Sequence, residues 1–256
     1  MLVVLGLSAC ATPDVYDETR GWTVDKLYTE AHSELMSGNY TRAEKLYETL
    51  QARYPYGRYA QQSEMDLAYG YYRDKEPEQA LAACDRFIKV HPAHPNLDYI
   101  YYLKGLIYLN SDDSWIAKYG GQDMSERDPD ASGKAYQAFR EVVTRYPDSK
   151  YAADSQAKIV MLVDAMGNYQ MHVARYYMLR GAYVAAVNRA EGVVREYHNT
   201  KYVEEALAIM VQGYQDLGMK QQSDDARRVL ALNYPQSSYL ANPWQPTVLP
   251  WWKFWK

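Results

Sequence analysis

Cysteine is scarce in this chain, with two among 256 residues. Two cysteines in unlike surroundings build no disulfide framework. Phenylalanine is far scarcer than tyrosine, 3 against 27, so most of the aromatic rings carry a polar hydroxyl tip. No run of 18 apolar residues occurs, and no transmembrane helix is expected. The formal charge is −4 and no basic block is present, which argues against a nucleic-acid partner. Glycine-rich phosphate loops, nucleophile elbows and zinc-binding helix motifs are missing too. His91 and His94 are three apart, but Pro92 and Pro95 interrupt them, and zinc needs further ligands. His32, His172 and His198 are scattered, and the carboxylates are spread along helical faces. No catalytic residue, metal or cofactor is expected.

Present instead is an apolar fraction of 48%, ample for a core, and a short mark repeated four times. It reads Tyr54-Pro55-Tyr56-Gly57-Arg58-Tyr59, Tyr146-Pro147-Asp148-Ser149-Lys150-Tyr151, Tyr197-His198-Asn199-Thr200-Lys201-Tyr202 and Tyr234-Pro235-Gln236-Ser237-Ser238-Tyr239. Proline cannot continue a helix, and Ser or Thr just beyond it can cap the next one. The mark predicts a helix end followed by a helix start.

Counting back from each break gives a common helical stripe. It runs through Ala43, Tyr47 and Leu50; Ala80, Cys84 and Phe87; Ala135, Phe139 and Val142; Ala186, Ala190 and Val193; and Ser223, Arg227 and Leu230. Steps of three and four place each set on one face. Partner stripes precede most of them, such as Leu27, Ala31 and Leu35. Cys84 thereby reads as a small core residue. Gly38 and Gly218 stand where a left-handed helix cap is wanted. This pattern resembles the tetratricopeptide repeat, and it implies an all-α, tetratricopeptide-type solenoid of about five helix-turn-helix repeats.

Two repeats are enlarged. Residues 110–130 read as a loop insertion, with Asp112-Asp113, Gly120-Gly121 and Pro129. Tyr151 to Leu179 reads as one long helix or two abutting helices, interrupted at most near Gly167-Asn168. The expected organisation is 1–9 a signal-peptide remnant, 10–22 a linker, 23–95 repeats one and two, 96–241 repeats three to five, and 242–256 a tail. That tail carries Pro243, Pro246 and Pro250, then Trp251-Trp252-Lys253-Phe254-Trp255-Lys256. Two readings of the aromatic run stand side by side: an interfacial lipid contact and a cap over the last repeat. Docking on a partner is a third.

Leu7-Ser8-Ala9-Cys10 resembles the bacterial lipobox, in which the signal peptide is cut before a cysteine that is then lipidated. A basic leading region is lacking, which fits a start upstream of Met1. Ala11 after the cysteine, by resemblance to the usual sorting pattern, favours the outer membrane.

Longer strings resemble the BamD family, lipoproteins of the machinery that inserts β-barrel proteins into the outer membrane of Gram-negative bacteria. These are Arg53 to Gln62, Asp66 to Tyr72, Phe87-Ile88, His94 to Tyr99, Arg127-Asp128-Pro129 and Arg180 to Arg189. The resemblance implies a non-enzymatic scaffold at the periplasmic face of the outer membrane, anchored through Cys10. Its first repeats would receive the C-terminal signal of an unfolded barrel, on Arg53, Tyr54, Tyr56, Arg58, Tyr59, Tyr69, Tyr71 and Tyr72. Its later repeats would dock on a POTRA domain of BamA through Arg189, Arg127 and Asp128, and BamC and BamE would bind as accessory lipoproteins. Tyr71 and Tyr72 fit inter-helix packing equally well, and Arg189 fits a solvated helix charge. Another tetratricopeptide envelope lipoprotein, scaffolding cell-wall or division machinery, is the alternative.

Overall fold

Thr23 opens the first helix: its hydroxyl oxygen accepts the Lys26 N–H at 3.3 Å, which satisfies one of the free donors of the first turn. The computed structural model describes residues 17–110 and 129–245. Among these it shows ten α-helices and no strand: α1 (Val24–Ser37), α2 (Tyr40–Arg53), α3 (Arg58–Arg73), α4 (Pro77–Val90), α5 (Leu97–Asn110), α6 (Pro129–Arg145), α7 (Ala152–Leu179), α8 (Tyr183–Glu196), α9 (Val203–Asp216) and α10 (Lys220–Asn233). A short 3-10 turn, Ser238–Leu240, follows.

Within four of the five pairs one left-handed residue reverses the chain; the link between α5 and α6 lies outside the described residues. Gly38, Gly181 and Gly218 hold φ of 84°, 70° and 73°, and Lys75 takes the same place at 64°. In each case the next N–H reaches back to a carbonyl of the preceding helix, Asn39 to Glu34, Glu76 to Tyr71, Ala182 to Tyr177 and Met219 to Tyr214, all at 2.9 Å. Between pairs, the repeated mark performs the second reversal. Tyr54, Tyr146, Tyr197 and Tyr234 donate their N–H to the carbonyls of Leu50, Val142, Val193 and Leu230 at 2.7–3.0 Å. Beyond them, Ser237 caps as expected, accepting the N–H of Tyr239 at the 3-10 turn. Ser149 accepts the N–H of Tyr151, but Tyr151 is the N-cap of α7 and no side chain caps that helix. Thr200 differs: its hydroxyl donates to the Tyr197 carbonyl.

The first four stripes are buried throughout. Cys84 is wholly enclosed, and burial pushes its thiol up to about 12, so it is an inert packing residue. The fifth stripe is a correction: Ser223 and Leu230 are buried, but Arg227 is exposed and Ala226 fills the inner position. A guanidinium cannot be enclosed without a partner; here it donates to the Leu240 carbonyl at 2.9 Å.

The described residues up to Ala83 form one compact unit and those from Cys84 another, so the division falls inside α4. The boundary expected at residue 95 is a turn between α4 and α5. In the first unit α1 packs on α2 and α3, and α2 on α3. In the second, each helix from α5 to α10 packs on the next.

The stretch from Tyr151 to Leu179 is one uninterrupted helix, Ala152–Leu179, of 28 residues, twice the usual length here. Its N-terminal half buries Leu162 against Ala135 and Phe139 of α6. Its C-terminal half buries Met171, Ala174 and Met178 against α8 and α9. Met171 lies nine residues after Leu162, so at about 100° per residue the buried face has turned through about half a circle. One helix thereby serves two neighbours on opposite faces.

Close approach depends on bare backbone at particular points. A Cβ on Gly105 of α5 would lie 2.6–2.7 Å from the Phe139 ring. Gly105→Ala should therefore destabilise the protein by about 1–3 kcal/mol, the usual effect of overpacking, measured by urea denaturation.

Candidate functional site

The first unit places its tyrosines around a carboxylate. Asp66 of α3 accepts hydrogen bonds from the hydroxyls of Tyr28 (α1) and Tyr47 (α2) at 3.0 and 3.1 Å, and from the Gln62 amide at 2.9 Å. His32, stacked on Tyr28, brings Nδ1 within 3.5 Å of the same carboxylate. Burial and the negative charge of Asp66 push the Tyr28 and Tyr47 phenols above their ordinary range, so both remain O–H donors. Three helices are thus joined at one polar centre that spacing alone does not reveal. Its only sequence signals are Tyr28 with His32 and Gln62 with Asp66, each pair one helical turn apart.

Around that centre the eight expected signal-groove residues separate into groups. Tyr59 stands at the N-terminal end of α3, its ring 5.1 Å from that of Tyr28 and its hydroxyl donating to Asp25. The Arg58 guanidinium lies 5.2 Å from the Tyr59 ring. Tyr54 donates to the Trp22 carbonyl at 3.2 Å, and Tyr56 is 91% exposed. Tyr69 and Tyr72 pack together ten or more residues further along α3, about 15 Å by helical rise. There the Arg73 side chain donates to the Tyr69 hydroxyl at 2.6 Å and lies over the Tyr40 ring. Tyr71 points to α2 and donates to Glu48 at 3.3 Å. Arg53 is engaged within the unit: it binds the Thr19 carbonyl and hydroxyl and the Asp17 carboxylate, tying residues 17–22 to α2. Those partners, 34 and 36 residues upstream, take up the charge that the sequence reading offered to a peptide carboxylate.

A cluster of acids lies at the turn between α3 and α4. Carboxylate oxygens of Glu44, Asp74 and Glu76 all fall within 4.8 Å of one another. The inner oxygen of Glu44 is enclosed without a hydrogen-bond partner. Burial first, then the charges of Glu76, Asp74 and Glu48, push Glu44 up to about 7. Below its ordinary value of 4.5 the group is protonated both folded and unfolded. Between 4.5 and about 7 the folded protein holds a proton that the unfolded chain has released, so stability falls as pH rises through that window. Glu44→Gln should raise the urea midpoint at pH 7.5 and flatten its decline above pH 4.5.

In the second unit, Arg189 is exposed on α8 and donates to Gln170 of α7 at 3.0 Å. It lines a cleft of about 440 Å³ together with Tyr177, Asn188, Arg195 and Tyr197. Cys10, Arg127, Asp128 and the aromatic run of the tail lie outside the described residues. Trp244, which sequence reasoning passed over, is 5% exposed and donates its indole N–H to Glu205 of α9 at 3.2 Å. Glu205 is in turn paired with Arg175 of α7. No described helix is long and apolar enough to cross a membrane.

Five helix pairs, four of them turned at a left-handed residue, define a tetratricopeptide-type repeat protein. The family profile described as YfiO, outer membrane lipoprotein, matches residues 21–230, and the chain belongs to that family. A relative from Neisseria meningitidis serogroup A (strain Z2491), named outer membrane protein assembly factor BamD, is 54% identical over 255 residues, 98% of this chain and 96% of its own. Relatives of the same name from Xylella fastidiosa (strain 9a5c) and Vibrio cholerae serotype O1 are 38% and 31% identical. These matches cover 88% and 91% of this chain, and 77% and 96% of the relatives.

Replacing Asp66 by Ala would leave the enclosed Tyr47 hydroxyl without its acceptor, a loss of about 1–3 kcal/mol. The same urea series should show it, with Asp66→Asn intermediate.

Proposed function

We propose that this protein is a non-enzymatic scaffold of outer-membrane β-barrel assembly, held at the periplasmic face of the outer membrane by lipid on Cys10. The observation that carries the reading is the match to BamD relatives over nearly the whole length of both chains. An assembly factor must hold extended, incompletely folded chains, and the first unit offers the chemistry for one end of them. Tyr59 and Tyr28 pack ring against ring and, with Tyr54, are held in place by their hydroxyl bonds, leaving aromatic surface suited to a strand ending in an aromatic residue. Arg58, which lies over a tyrosine ring, is the cation placed to meet the terminal carboxylate. Tyr69, Tyr71 and Tyr72 belong to the packing of α3, and they flank that end rather than form it.

The second unit is the docking half of the scaffold. The cleft beside Arg189 receives a POTRA domain of BamA, with Arg127 and Asp128 contributing from the segment between α5 and α6. BamC and BamE bind as accessory lipoproteins. The hydrogen bond from Arg189 to Gln170 holds the guanidinium at the mouth of the cleft without neutralising it, so charge remains for a partner carboxylate.

A fluorescent peptide copying the C-terminal strand of a barrel protein tests the first unit by anisotropy. Arg58→Ala with Tyr59→Ala should weaken binding about tenfold or more, equivalent to about 1.4 kcal/mol. Unchanged affinity would remove this end of α3 from the reading. Arg189→Glu should abolish binding of an isolated POTRA domain in calorimetry, and undiminished binding would place the docking surface elsewhere.

A further inference from the structure

The doubled helix α7 has an open strip. Because its two halves bury opposite faces, the C-terminal half turns to solvent the side that the N-terminal half lays on α6. On that side His172, Tyr176 and Leu179 follow one another at steps of four and three, a continuous stripe. Tyr176 is 56% exposed and Leu179 49%. Large apolar side chains so exposed, in register on one stretch of helix, call for an occupant.

The course of the chain after α10 indicates which. At Leu240 the backbone is held by Arg227 of α10. Four residues later Trp244 has crossed to α9, buried among its side chains and hydrogen-bonded to Glu205. Glu205 is gripped by Arg175 of α7, whose Nε donates to it at 2.7 Å. The segment thus travels from α10 over α9 to the edge of α7. Arg175 is the immediate neighbour of the strip, three residues from His172, one from Tyr176 and four from Leu179. Val229 and Leu232, also exposed, lie on α10, the helix that the chain has already left behind, and the exposed Val160 and Met161 lie on the half of α7 away from Arg175.

We propose that residues 246–256 dock on this strip of α7. Trp251, Trp252, Phe254 and Trp255 cover Tyr176 and Leu179, and the tail thereby straps the last two helix pairs to the long helix. Eleven residues reach about 36 Å when extended, and the strip from His172 to Leu179 is about 10 Å long, so length is no obstacle. Pro246 and Pro250 favour the extended form and lower the entropy lost on docking. The rings supply aromatic contact on Tyr176 and apolar burial on Leu179, while Lys253 and Lys256 keep their ammonium groups in water.

Bimane fluorescence tests this, since tryptophan quenches the dye on contact. Leu179→Cys is labelled in the full chain carrying Cys10→Ser; Cys84 is enclosed and unreactive. The dye should be quenched in the full chain and several-fold brighter in a chain ending at Gln245, which retains Trp244. Dilution should leave the quenching unchanged, and so should vesicles of phosphatidylethanolamine and phosphatidylglycerol. The same label at Val160, on the N-terminal half of α7, should be equally bright in both chains, and Tyr176→Cys should reproduce the result for Leu179→Cys. Equal brightness of full and shortened chains at both strip positions would overturn the proposal. So would quenching relieved by vesicles, which would make lipid the occupant, or quenching lost on dilution, which would make it a second copy.

Discussion

The helices of this protein are mostly fourteen residues long. Helices so short are marginal in water by themselves, so each exists because a neighbour comes close enough to share its apolar face. The closeness is set by small residues. Ala43, Ala80, Ala135, Ala186 and Ser223 begin the inner stripes, and an aromatic or branched side chain one or two turns later fills the space they leave. Gly105 and Gly213 carry the same principle further, with the Phe139 ring and a Val187 methyl lying too close for a Cβ. The turns follow from this constraint. Where the chain reverses within two or three residues, a left-handed residue makes the turn, as at Gly38, Lys75, Gly181 and Gly218.

The first unit adds a polar centre to that apolar scheme. Asp66 accepts from tyrosines on two other helices, so three helices are fixed in register by directional bonds as well as by packing. Phenylalanine in those places would pack without fixing the register, which is a physical reason for tyrosine at positions 28 and 47. Rings held at their hydroxyls keep their faces in one orientation, and a preorganised aromatic surface loses less entropy on binding an extended chain.

The repeat was legible because it is written in local spacing. The marks at Tyr54, Tyr146, Tyr197 and Tyr234, the stripes behind them and the left-handed places at Gly38 and Gly218 depend on residues within a turn or two of one another. What the sequence concealed are bonds between distant residues. Arg53 reads as a free cation until Asp17 and Thr19 are seen beside it. The tyrosines of α3 read as one groove, but helical rise separates Tyr59 from Tyr69 and Tyr72, and Tyr71 points to α2. Arg227 kept the spacing of its stripe but not the chemistry, and Ala226 replaced it inside. The long helix was visible as an apolar stretch without proline; that its two halves bury opposite faces depends on neighbours contributed by separate repeats.

Membership in the outer-membrane lipoprotein family, with relatives named as assembly factors, is what supports the proposed scaffold. The most direct test is to purify the tagged, full-length protein from detergent-solubilised outer membrane and measure what accompanies it. BamA in stoichiometric amount is the predicted result. Recovery of the protein without BamA, under conditions that keep the membrane's other complexes intact, would contradict it.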